Sequence, residues 1–125
     1  MTGRRSDRAV LALVVMANLA LLYWPRTVDT GGAPHLDKAA HLVSFAAVAW
    51  AGRRAGVPAV VLVPLLVLHA LSSEVVQARL LAGRSGDLAD VAADLAGVLL
   101  GLLAATRPGQ ASWRHDRAGP PRGGR

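Results

Sequence analysis

The residues of this chain best suited to chemistry are few and ordered: Asp37, Lys38 and His41, then Glu74 and Gln77, then Arg84, Asp87, Asp90 and Asp94. Carboxylates beside an imidazole can exchange protons or share a cation, and a guanidinium can grip an anionic group. Asp37 and His41 stand four apart, which stacks them on one helical face, with Ser44 continuing the stripe. Asp87, Asp90 and Asp94 follow at spacings of three and four and share another narrow face, which Gly97 and Gly101 carry deeper. The chain has no cysteine, which excludes disulfides, thiolate nucleophiles and zinc-thiolate sites.

The elements that must position these residues are apolar. The 125 residues are 53% hydrophobic and 18% charged, with mean hydropathy +0.38, outside the usual soluble range. Four long blocks lack a polar face: Ala9 to Trp24, Ala39 to Ala51, Val57 to Leu71 and Leu88 to Ala105. Each approaches the roughly 20 residues a helix needs to cross the hydrocarbon once its flanks are counted. The expected fold is therefore all-α, an integral membrane bundle of four transmembrane helices. A soluble four-helix bundle would need a wet stripe on every helix, and LALVVMANLALLYW offers only Asn18 for one. The first block also fits a signal peptide, with Arg4, Arg5 and Arg8 before it. It ends, however, in Tyr23, Trp24 and Pro25, an interfacial anchor and a helix breaker in place of a small-residue cleavage site, so it is expected to stay attached.

Loop chemistry agrees. Pro25 to Pro34 reads as a loop, Gly52 to Pro58 as a tight turn, and Gly83 to Gly86 as a break before the fourth span. Residues 1–8 form a short N-terminal segment, 9–106 the membrane domain, and 107–125 a Gly, Pro and Arg-rich tail expected to be disordered. No internal repeat suggests an inverted-repeat transporter.

Cations set the expected orientation, because Lys and Arg accumulate in short cytoplasmic loops. Ten of the 14 basic residues precede the first span, lie between the second and third, or follow the fourth, which places both termini in the cytoplasm. Six of the eight carboxylates then fall on the outer half, and three helices deliver Asp37, His41, Glu74, Gln77, Arg84, Asp90 and Asp94 to a similar depth. The net charge of +6 reads as topology and attraction to anionic lipid, not as a nucleic-acid surface.

Structural readings compete at several positions. Asp37 and Asp87 suit helix capping as well as function. Lys38, Arg26 and Arg79 suit interfacial snorkelling, His69 suits packing, and Gly97 with Gly101 suits close helix approach. Asp90 and Asp94 lie inside a span where no cap is needed and a carboxylate is costly, and for them and Glu74 the functional reading wins.

The ordered set Asp37-Lys38-x-x-His41, Glu74-x-x-Gln77, and Gly83-Arg84-Ser85 leading into Asp87, Asp90, Asp94, Gly97 and Gly101 closely resembles the VanZ-like membrane proteins, named for a teicoplanin-resistance determinant. The resemblance covers roughly residues 35 to 105. It implies a small multi-pass protein of the bacterial cytoplasmic membrane with a role at the cell envelope or in glycopeptide resistance. Two departures stand out: Asp94 where the family often shows Asn, and Leu81-Ala82 where a Pro often precedes the Gly-Arg pair.

Crowded carboxylates in low dielectric must pair with Arg84, His41 or Lys38, share protons, or hold a cation. One reading is an enzyme acting on a lipid-linked or amphipathic substrate at the outer leaflet. His41 or Glu74 would be its acid or base, Arg84 would hold an anionic group, and Glu74, Asp90 and Asp94 would be candidate ligands for a hard divalent ion such as magnesium. A second is a non-catalytic module binding a drug, lipid headgroup or membrane partner. A third is a proton- or ion-coupled conductor, which would want acids continuing toward the cytoplasm, and the inner halves of spans three and four hold none. Four short helices also leave room for a homodimer.

Overall fold

The computed structural model describes residues 2–24, 34–81 and 87–106. They form four helices, α1 (Thr2–Tyr23), α2 (Pro34–Arg54), α3 (Ala59–Leu80) and α4 (Leu88–Thr106), and no strand occurs among the described residues. Arg84 and the segments 25–33, 82–86 and 107–125, including the tail expected to be disordered, lie outside the described residues.

The chain runs up and down. Asp7 near the start of α1 pairs with Arg54 at the end of α2 at 3.5 Å, so these helices are antiparallel. His41 near the start of α2 meets Asp94 near the start of α4, and Gln77 near the end of α3 meets Leu22 at the end of α1. One end of the bundle therefore gathers the finishes of α1 and α3 and the beginnings of α2 and α4. The opposite end carries Arg4, Arg5, Arg8, Arg53 and Arg54.

Helices of 19 to 22 residues are about 28–33 Å long at the helical rise, which matches the hydrocarbon thickness. Arg4–Tyr23, α3 and α4 are long and apolar enough to cross a membrane. The fourth, α2, is equally long, carries its formal charges only at its ends, as Asp37, Lys38, Arg53 and Arg54, and lies along α4. Large apolar side chains such as Leu13, Met16, Val60, Leu68 and Leu99 point outward, a surface suited to lipid and far too apolar for a soluble monomer.

Backbone proximity fixes the α2–α4 contact. A Cβ on Gly97 would collide with the Leu42 carbonyl, and one on Gly101 with the Ala46 carbonyl and, at 2.8 Å, the Ala49 methyl. The small-residue reading of these glycines thus locates the interface that holds α2 against α4. Phe45, Val48, Ala49, Leu62, Leu66, Ala70 and Val98 fill the interior below the polar end.

The α2–α3 turn closes as a Schellman motif. The Val57 N–H donates to the Gly52 carbonyl at 2.9 Å and the Gly56 N–H to the Arg53 carbonyl at 3.1 Å. Gly56 supplies the left-handed φ of +89° that the motif needs.

Helix bounds differ from the apolar blocks in instructive ways. α1 begins at Thr2, so the three arginines expected to precede the span ride on its opening turns. α3 continues to Leu80, well past Leu71, because its polar residues are buried partners inside the helix. α2 starts at Pro34, which corrects the N-cap reading of Asp37: that residue lies in the first turn, where its charge still favours the helix dipole.

Candidate functional site

The polar end is built by placing one face of α2, α3 and α4 around a common axis. Nδ1 of His41 and Oδ1 of Asp94 are 2.9 Å apart, and these side chains are 1% and 0% exposed. Glu74, 8% exposed, approaches from α3, its Oε1 4.0 Å from His41 Nδ1. The other Glu74 oxygen accepts the Asp87 backbone N–H at 2.8 Å, which ties α3 to the start of α4. His41 and Asp94 thus form a buried imidazole–carboxylate pair with a second carboxylate alongside.

A second layer sits nearer the mouth. The Lys38 ammonium donates to Asp90 at 2.9 Å and to Asp87 at 3.1 Å. The snorkelling role expected of Lys38 is therefore replaced by a bridge from α2 to α4, and it offsets Asp90, which is 4% exposed. Asp87 also acts as the cap of α4, accepting the Ala89 N–H at 3.0 Å. That N–H, and after it Lys38, hold the exposed Asp87 carboxyl below the ordinary carboxylate range. The cap is thus fully present above the unfolded value and is lost as pH falls through the depressed folded value.

Of the expected site residues, Asp37, His41 and Asp90 come together as one group, and His41, Glu74 and Asp94 as another. In each group the potential ligand atoms lie within 4.8 Å of one another. Gln77 is buried at the same end, but its amide donates to the Leu22 carbonyl at 3.1 Å, satisfying a backbone group at the end of α1. Its visible contact ties helices together.

Beneath the acids runs a polar tie across three helices. Asn18 donates to Ser44 Oγ at 3.0 Å, Ser44 donates to the His41 carbonyl at 3.0 Å, and His69 Nε2 lies 2.9 Å from Asn18 Oδ1. Since the Asn18 amide nitrogen is engaged by Ser44, its oxygen accepts and His69 Nε2 donates. His69 also stacks on Phe45, with ring centres 5.4 Å apart, in keeping with its packing reading. Asn18, the lone polar residue of its block, finds its purpose here.

Access is lateral. A cleft of about 270 Å³ between α3 and α4 is lined by Glu74, Val75, Ala78, Arg79, Asp87, Leu88 and Val91. Glu74 belongs both to this cleft and to the buried cluster. Chemically, the arrangement can move a proton at Glu74 or His41, or ligate a cation. Three buried polar atoms, His41 Nε2, Glu74 Oε1 and Asp94 Oδ2, have no hydrogen-bond partner.

No family model matches this chain, and no curated protein or solved structure matches it. What the fold and site define is a helical bundle with membrane-spanning segments and a polar cluster at one end.

Proposed function

We propose that the polar end is the working site of an envelope enzyme of the bacterial cytoplasmic membrane, of the VanZ-like type that the residue order resembles. Its substrate is amphipathic or lipid-linked and comes from the outer leaflet, with both termini of the chain on the cytoplasmic side. The observation that carries this reading is the double placement of Glu74, in the wall of the α3–α4 cleft and against the His41–Asp94 pair. A hydrophilic headgroup entering from the side meets Glu74 first, with Arg79 beside it for an anionic group. Glu74 then exchanges a proton with the reacting group, in a setting where burial magnifies electrostatics. The apolar wall of the cleft, Val75, Ala78, Leu88 and Val91, suits a lipid tail. Conduction fits less well, because the polar tie through Ser44, Asn18 and His69 gives way to Leu62, Leu66, Val48 and Val98.

The test uses the full chain in liposomes carrying phosphate-linked lipid headgroups, with product analysis of the extracted lipid. The wild type is expected to alter the headgroup, and Asp90→Ala, which removes the buried partner of Lys38, to abolish the change while inserting normally. Tight headgroup binding with no product would favour the non-catalytic module, and neither binding nor product would remove the site reading.

A further inference from the structure

His41, Glu74 and Asp94 come from three different helices, yet each offers a ligand atom within 4.8 Å of the others. All three side chains are more than nine-tenths buried, and each has a buried atom without a hydrogen-bond partner: Nε2, Oε1 and Oδ2. Buried polar atoms are paired in the great majority of cases, and the unpartnered Glu74 Oε1, 4.0 Å from the ring nitrogen Nδ1 by which His41 meets Asp94, marks a place built to receive something.

Charge says what. Among the described residues, this end of the bundle holds the carboxylates of Asp37, Glu74, Asp87, Asp90 and Asp94. The Lys38 ammonium is committed to Asp87 and Asp90, and Arg79 is exposed on α3. A protonated His41 would offset a single further carboxylate. Among the described residues the cluster is therefore short of positive charge, which favours a cation over an anion as occupant. Lys38 also separates the two groups: Asp90 has a cation already, so the triad most in need of one contains Glu74 and Asp94.

We propose that His41, Glu74 and Asp94 form a binding site for a divalent transition-metal cation of the zinc class. Two carboxylate oxygens alone would suit magnesium, but an imidazole in the donor set shifts the preference to zinc or a similar ion. Metal bonds of about 2.0–2.2 Å place neighbouring ligand atoms roughly 3–3.5 Å apart. The observed separations from His41 Nδ1, 2.9 Å to Asp94 and 4.0 Å to Glu74, bracket that spacing, so small side-chain movements complete the set. Three protein ligands leave a coordination position for water or substrate, and Glu74 puts that position beside the α3–α4 cleft. The inference deepens the functional reading above and rests on it: in the loaded site Glu74 acts as a ligand, and the ion polarises a bound headgroup or activates a water whose proton is the one exchanged. It also replaces the ligand set of Glu74, Asp90 and Asp94 expected from sequence by one in which His41 takes the place of Asp90.

The test needs no substrate. The full chain, purified in detergent and stripped with chelator, is dialysed against Zn2+, Mn2+ or Mg2+ alone, and retained metal and the thermal unfolding midpoint are measured. The wild type is expected to retain Zn2+ stoichiometrically, to prefer it to Mg2+, and to unfold at higher temperature when loaded. Asp94→Asn and Glu74→Gln, nearly isosteric and chosen to preserve helical content, should each weaken retention by about tenfold or more, while Asp90→Asn retains the ion. Equal Zn2+ binding by wild type and Asp94→Asn, or preference for Mg2+, would overturn the site. Zn2+ binding without turnover in the liposome assay would leave the metal site standing and count against the enzyme. Turnover that survives metal stripping would do the reverse.

Discussion

Glu74→Gln is expected to reduce headgroup turnover by about 10²–10⁴-fold, the range that a positioned acid or base contributes, with little change in helical content. The substitution keeps the shape of the side chain and can still accept the Asp87 N–H that Glu74 receives at 2.8 Å. It removes the capacity to exchange a proton, and the charge beside His41. Comparing initial rates of wild type and variant at equal reconstituted protein measures the effect. A rate within about twofold of wild type would take Glu74 out of the chemistry, since a positioned acid or base contributes far more than that.

Gly97→Leu should have the largest structural effect. A single added Cβ already meets the Leu42 carbonyl, and backbone cannot retreat as the end of a flexible side chain can. Overpacking a well-fitted contact costs typically about 1–3 kcal/mol, and a leucine driven into backbone belongs at or beyond the top of that range. The expected outcome is separation of α2 from α4, which pulls His41 from Asp94 and Lys38 from Asp90 at one stroke. Denaturant titration in detergent, followed by circular dichroism, should show a large loss of stability. Leu99→Ala on the lipid-facing side of the same helix should change little. Similar stability for the two variants would contradict the close approach of α2 and α4.

Much of this is legible in the sequence, and the reason is the solvent. Lipid forces apolar residues into uninterrupted blocks, so the helices declare themselves, and the few polar residues left inside must find one another. That logic brought Asp37, His41, Glu74, Asp90 and Asp94 to one end correctly. Pairing was less legible. Lys38 looks like a snorkelling residue until α4 is laid beside α2, because nothing within α2 reveals that Asp87 and Asp90 lie across from it. Gln77 looks like part of the acid cluster by spacing, but its partner is a backbone carbonyl on α1, which no side-chain pattern encodes. Asn18 and His69 are likewise 51 residues apart in sequence and bonded in space. Arg84, expected to hold an anionic group, lies outside the described residues, and Arg79, read from sequence as an interfacial snorkeller, lines the cleft.

The chain has no cysteine, so single cysteines report without background. Leu36, Leu80 and Leu88 are exposed near the ends of α2, α3 and α4 that carry the polar cluster, and Pro58 lies in the turn at the opposite end. Treating intact cells with a membrane-impermeant maleimide is predicted to label Leu36→Cys, Leu80→Cys and Leu88→Cys alike, and Pro58→Cys only after permeabilisation. Reaction of Leu36→Cys and Leu80→Cys from opposite faces of the membrane would place His41 and Glu74 on different sides, and the shared site would not exist.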